Sequence, residues 1–231
     1  MTRPILIGIG GAHSGSGKTT YASLLFQRLT GWGGIKYTKT DLYCSLIDER
    51  DVLLIEGKDT RKMLDAGAER VLWVKSPPSE LQDLLPLAME KLSDLKGVIV
   101  EGNSAIEFLV PDIIIFMFGN NSEKLKESAK GILEKADVVL SEEGPTEVVP
   151  GKARLFRKSP VHNEEFLVSI VEMVEKKEKI RASLKERSEN GRIPCPVARA
   201  IAEELKVDYQ EVGKTANELG IKITGCELGC F

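Results

Sequence analysis

The feature that most constrains this chain is the run Ala12-His13-Ser14-Gly15-Ser16-Gly17-Lys18-Thr19-Thr20. It follows a short apolar run, residues 4–10, and opens a helical pattern, residues 19–29, with Tyr21, Leu24, Leu25 and Leu29 at helical spacing. Strand, glycine-rich loop and helix in that order form the context of a phosphate-binding P-loop. Each residue type has a reason. Glycines let backbone N–H groups wrap phosphate oxygens with no side chain in the way. The helix start adds the positive end of its dipole. Lys18 supplies a point charge for the outer phosphates, and the Thr19 hydroxyl is a ligand for Mg²⁺. Ser14, Gly15, Ser16, Gly17, Lys18, Thr19 and Thr20 are therefore the expected nucleotide contacts. The strict pattern begins with Gly, and here the small residue Ala12 takes that place. His13 reads as a solvent-facing loop residue.

Further apolar runs at 34–38, 52–55, 71–74, 97–100, 112–117 and 137–140 have strand length. Helical patterns at 59–66, 80–95 and 122–135 separate many of them. Fully apolar strands alternating with amphipathic helices predict a parallel sheet covered on both faces. The expected fold class is α/β: a P-loop NTPase with a doubly wound, mainly parallel sheet. The pattern then changes. Residues 163–187 read as one long amphipathic helix, with Phe166, Ile170, Val171, Val174 and Ile180 on its apolar side. Its basic run Lys176, Lys177, Lys179, Arg181 reads as a solvated face. Asn190-Gly191 marks a break. Helices at 196–205 and 210–219, a turn at 207–209 and a short strand at 221–224 follow. The expected organisation is a nucleotide-binding domain over 1–160, a connecting helix over 161–190, and a small helical, helix-turn-helix-like domain over 191–231.

Composition narrows the class. With 231 residues, 42% of them hydrophobic, and a net charge of −3, the chain is neither disordered nor dependent on disulfide staples. The apolar run at 5–9 is too short for a signal peptide. No stretch approaches the roughly 18 apolar residues of a membrane helix. The expectation is a cytoplasmic protein with no membrane partner. Basic and acidic side chains nearly balance over 176–231. The second tail helix offers Gln210, Lys214, Thr215 and Asn217, without the basic cluster that a nucleic-acid footprint needs. That disfavours nucleic acid as a partner and favours a protein-docking tail.

A P-loop site also needs a carboxylate at a neighbouring strand end to hold Mg²⁺. Val52-Leu53-Leu54-Ile55-Glu56-Gly57 and Val98-Ile99-Val100-Glu101-Gly102-Asn103 both qualify, and pattern alone does not separate them. Asp41 is a third candidate metal ligand. Three of the four cysteines, Cys195, Cys226 and Cys230, lie near the C-terminal end. Three thiolates are a donor set for Zn²⁺ or an Fe–S cluster, with a redox pair or inert buried cysteines as alternatives.

Several segments together resemble the molybdopterin-guanine dinucleotide biosynthesis protein B family. The P-loop is one. Gly34-Ile35-Lys36 resembles that family's strand after the first helix. Gly57-Lys58-Asp59-Thr60, followed by Asp65-Ala66-Gly67-Ala68, resembles its Gly-Lys-Asp-Ser loop and downstream Ala-Gly-Ala. Val98-Ile99-Val100-Glu101-Gly102 resembles its second carboxylate strand. The resemblance spans roughly residues 4–120. It implies that Glu101 serves the Mg²⁺ side, with Lys18 and Glu101 as the catalytic pair, and that Lys58 and Asp59 belong to a nucleotide-contacting loop beside Glu56. It further implies GTP binding with slow hydrolysis, a homodimer, and a partner in molybdenum cofactor biosynthesis. There are departures. Tyr37 stands where the family usually has His, and no Asn-Lys-x-Asp guanine-reading motif is present, so GTP over ATP rests on the resemblance. Two other functions fit a P-loop chain. A small-molecule kinase is disfavoured because no Arg-rich lid lies between Glu101 and Asp137. A metal- or redox-responsive regulator would use the tail to bind DNA or protein.

Overall fold

In the computed structural model, described over residues 3–119, 125, 127–142, 149–159 and 163–225, the first apolar run forms a fully buried central strand, β1 (Ile5–Gly11). The glycine-rich loop leads directly into α1 (Lys18–Phe26). The chain continues through β2 (Trp32–Lys39), β3 (Ser45–Ile47), α2 (Arg50–Leu53), α3 (Asp59–Asp65), β4 (Val71–Ser76), α4 (Leu81–Lys91), β5 (Gly97–Glu101), α5 (Asn103–Leu109), β6 (Ile113–Met117), α6 (Glu127–Lys135), β7 (Val138–Ser141) and β8 (Arg154–Arg157). The strands form one eight-stranded sheet in the order β3-β4-β2-β5-β1-β6-β7-β8. Every pair is parallel except β3 with β4. This is the mainly parallel α/β architecture that the alternation predicts.

Close packing on β1 depends on two glycines. A Cβ on Gly8 would lie 2.8 Å from Pro111 and 3.0 Å from Ile106, and one on Gly10 would lie 2.8 Å from Ile132. Their absence lets α5 and α6 rest directly on the strand. One sheet face buries Leu6, Ile35, Val98, Val100 and Phe116 against Leu85, Ile106 and Ile132. Asp112 anchors the start of β1: it accepts from the Leu6 N–H at 2.7 Å and from both terminal nitrogens of Arg3 at 3.0 and 3.1 Å.

Some expectations need correction. The run 52–55 is not a strand. Leu53 N–H donates to Glu49 O and Leu54 N–H to Arg50 O, which is helical bonding, and only Leu53 of the run is buried. A four-residue apolar run fits one turn of helix as well as a strand. Strand β8 was not expected, because Arg154, Leu155 and Arg157 are exposed and the sequence shows no apolar core pattern. A charged, short edge strand is how sheets guard an open edge.

Spatial clustering divides the chain into Arg3–Val168 and Ser169–Phe231, so the boundary falls inside α7 (Asn163–Arg187). The second unit continues with β9 (Arg192–Pro194), α8 (Cys195–Leu205), α9 (Tyr209–Glu218) and β10 (Lys222–Thr224). Its two helices fall where the sequence predicts them. They are bracketed by a two-stranded parallel sheet pairing Thr224 with Pro194. The core gathers Ile180, Leu184, Ile193, Ile201, Val212 and Ile221. The basic run on α7 is a solvated face only in part, with Lys179 exposed and Lys176 half-buried. Lys177 and Arg181 are buried and pair with Glu211 and Glu218, each at 3.5 Å. The i, i+4 spacing places both on the side of the helix that carries Leu184. Among the described residues, no helix is long and apolar enough to cross a membrane.

Candidate nucleotide-binding site

The loop after β1 follows the geometry that its glycines permit. Gly15 and Gly17 take φ of 83° and 89°, a left-handed conformation that side chains disfavour, and Gly17 caps α1. Ala12 is buried, and its N–H donates to Met117 O at 3.0 Å, so the departure from Gly at this place is accommodated. Lys18 lies back along the loop, its Nζ donating to His13 O at 2.8 Å and to Ser16 Oγ at 3.2 Å. His13 is half-buried rather than solvent-facing, and its buried Nε2 has no hydrogen-bond partner among the described residues.

The C-terminal ends of β1, β2 and β5 open onto one cleft of about 630 Å³. Ser14, Gly15, Gly17, Lys18, Thr19 and Thr20 line it from the loop and α1. Asp59 and Glu101 line it from α3 and β5. The Thr19 hydroxyl donates to Glu101 Oε2 at 2.8 Å, although the two residues are 82 positions apart. The parallel register explains the meeting: Ile9 pairs with Glu101, which brings the end of β5 level with the start of the loop. Lys36, at the register position paired with Glu101 across β2 and β5, donates to Glu101 Oε1 and contacts Asp59 Oδ2 at 2.7 Å. Lys62 reaches the other Asp59 oxygen at 3.5 Å.

Other sequence candidates lie elsewhere. Ser16 is buried within the loop and does not line the cleft. Lys58 sits over the Trp73 ring at 4.9 Å and does not line the cleft. Asp41 is exposed in the bend after β2 and does not line the cleft either. Glu56 is exposed in the turn after α2, with no strand to present it. Cys195 is partly buried at the first residue of α8, while Cys226 and Cys230 lie outside the described residues. Among the described residues, no cluster of three His, Cys, Asp or Glu side chains could hold a metal ion.

Burial pushes the Lys18 ammonium down, Glu101 and Asp59 only partly offset this, Lys36 adds repulsion, and the net shift is downward. For Lys36, burial also acts downward, but Glu101 and Asp59 more than compensate, and the net shift is upward. Burial would raise the Asp59 carboxyl, but the bond and charge of Lys36, with Lys62 and the Thr19 hydroxyl, bring it below the usual carboxylate range.

Three contributors were not singled out from the sequence. Lys36 appeared there only within a resembling segment. Its signal is positional: a lysine near the C-terminal end of an otherwise buried parallel strand points at the ligand side of the sheet. Asn103 grips the residue before the loop from both sides, accepting from the Gly11 N–H and donating to Gly11 O, each at 3.0 Å. Lys158, just after β8, donates to Ser16 O at 2.8 Å and to Phe118 O. Burial lowers its basicity, Glu142 acts in the opposite sense, and Lys18 lowers it further. No local pattern marks Lys158. Asn103→Ala is expected to cost about 1–3 kcal/mol, because it strips both partners from a partly buried peptide. Thermal unfolding would show it as a lower Tm together with weaker nucleotide binding. An unchanged Tm would mean that the clamp does not stabilise the loop.

No protein-family model matches the chain, and no curated protein matches it. Among solved structures it is similar to HypB from Helicobacter pylori in complex with nickel. That likeness has 12% identity and a TM-score of 0.38, over 75% of this chain and 88% of that one.

Proposed function

We propose that the first unit binds a Mg²⁺-nucleoside triphosphate and hydrolyses it slowly, with GTP as the nucleotide and molybdenum cofactor biosynthesis as the setting. The observation that carries the reading is the convergence of Lys18, Thr19 and Glu101 on one cleft at the end of β1. The Thr19 hydroxyl and the Glu101 and Asp59 carboxylates are hard oxygen donors, the type Mg²⁺ takes. Thr19 and Glu101 would hold the ion, and the ion would neutralise developing charge on the phosphates. Loop amides and Lys18 would orient the phosphate chain, and Asn103 and Lys158 would keep the loop in shape. Catalysis of this kind is positioning plus charge compensation. The setting and the choice of GTP are supported only by the sequence resemblance.

The test is a nucleotide panel by calorimetry, with metal analysis of the same sample. GTP bound in the presence of Mg²⁺ at least about tenfold more tightly than ATP, a difference of about 1.4 kcal/mol, is expected. Equal affinities remove the case for GTP, and no binding of either triphosphate overturns the site. Zinc or iron in the purified chain would instead favour the metal-responsive regulator. Phosphoryl transfer to a small acceptor would favour the kinase.

A further inference from the structure

The contacts of Lys36 go beyond what a phosphate-binding role requires. Its ammonium touches Glu101 Oε1 and Asp59 Oδ2, the two cleft carboxylates nearest the Thr19 hydroxyl. The pair is desolvated: the Glu101 side chain is 3% exposed and that of Lys36 16%. Two carboxylates around one positive centre, with the Thr19 hydroxyl on the other oxygen of Glu101, are hard oxygen donors of the type a divalent ion takes. Here the positive centre is a lysine on a strand. The other charges facing it are Lys18 from α1 and Lys62 from α3. Neither supplies Glu101 with a contact of this kind.

We propose that Lys36 and the divalent cation compete for the same oxygens of Glu101 and Asp59, so that the ion enters the cleft only by displacing the ammonium. The inference rests on reading the cleft as a Mg²⁺–triphosphate site. Its physical content is charge balance. A buried carboxylate such as Glu101 without a cation is costly, and Lys36 supplies that cation from within the fold, with the part-exposed Asp59 on its other side. An ion arriving alone must overcome both the Lys36 contacts and the repulsion of a neighbouring positive charge. An ion arriving with a triphosphate brings anionic oxygens toward which Lys36 can turn. Asp59 thereby becomes a positioning residue that holds Lys36 on one side of Glu101. The arrangement makes metal entry depend on nucleotide.

The test titrates Mn²⁺ alone into the nucleotide-free full chain, read by calorimetry and by the electron paramagnetic resonance signal of free Mn²⁺. Lys36→Met is expected to bind Mn²⁺ about tenfold or more tightly than the original chain, because a competing positive charge is gone. Lys36→Arg keeps the charge and is expected to stay near the original affinity. Adding Glu101→Gln to Lys36→Met is expected to abolish the gain. Should Lys36→Met be unfolded as purified, recovery of a cooperative thermal transition in millimolar Mn²⁺ supports the competition, and failure to recover it overturns it. Unchanged or weaker Mn²⁺ binding by folded Lys36→Met also overturns it. A separate titration of the original chain with Mg²⁺ and triphosphate tests the underlying site, so a failure there is distinguishable from a failure of the competition.

Discussion

Lys18→Ala is expected to weaken triphosphate binding by about 2–5 kcal/mol, roughly thirty- to several-thousand-fold, the cost of removing one partner from a buried, charge-assisted contact. The residue is well placed for so large an effect. Its ammonium already lies within the loop, bonded to His13 O and Ser16 Oγ, and burial holds its pKa below the ordinary lysine range. The sign of the proton linkage follows. A lysine whose folded value is depressed destabilises the fold at pH below that value, and the cost is relieved as pH rises through the folded value toward the unfolded one. Triphosphate oxygens favour the charged form and pull the value back up. Binding should therefore take up protons at alkaline pH, seen as binding heats that vary with the ionisation enthalpy of the buffer. Lys18→Ala should lose most of that uptake. A Lys18→Ala affinity within about threefold of the original chain's would refute the site.

The second large effect separates two carboxylates that pattern alone left level and that only the family resemblance ranked. Glu101→Gln is expected to lower Mg²⁺-dependent turnover by about 10²–10³-fold, the range for deleting one preorganised electrostatic group. Glu56→Ala is expected to stay within about twofold, as an exposed residue away from the chemistry. The contrast comes from geometry: Glu101 is buried at a strand end and accepts from Thr19, whereas Glu56 is exposed in a turn. Single-turnover hydrolysis at saturating Mg²⁺ and triphosphate is the measurement. Equal losses in the two variants would leave the assignment without support. Glu101→Gln keeps the size of the side chain and an acceptor for Thr19, so a loss of turnover without a loss of Tm points to the missing charge.

Much of the first unit was legible because its signals are local. A fully buried strand reads as an unbroken apolar run, and the P-loop carries its geometry in its glycines. Local signals fail where partners decide the outcome. The run 52–55 has strand composition but no strand beside it, and it settles as a turn of helix with Leu53 O accepting from the Thr60 hydroxyl at 2.8 Å. Strand β8 has almost no apolar signal, and it forms because β7 offers an open edge from Val138 to Ser141. On α7, charge alone suggested solvent, but Glu211 and Glu218 on α9 meet Lys177 and Arg181.

The sequence by itself determined the glycine-rich loop between β1 and α1, the class of the sheet and the order of most elements. Each of these depends on neighbours within a few positions. Tertiary structure decided which carboxylate faces Thr19, that Lys36 stands between Glu101 and Asp59, and that Asn103 and Lys158 hold the loop. Those contacts join residues up to 142 positions apart or arise from strand order, and no local pattern encodes which strand lies beside which. The physical reason is the parallel sheet. It carries the C-terminal ends of distant strands to one edge, and only there do their charges become neighbours.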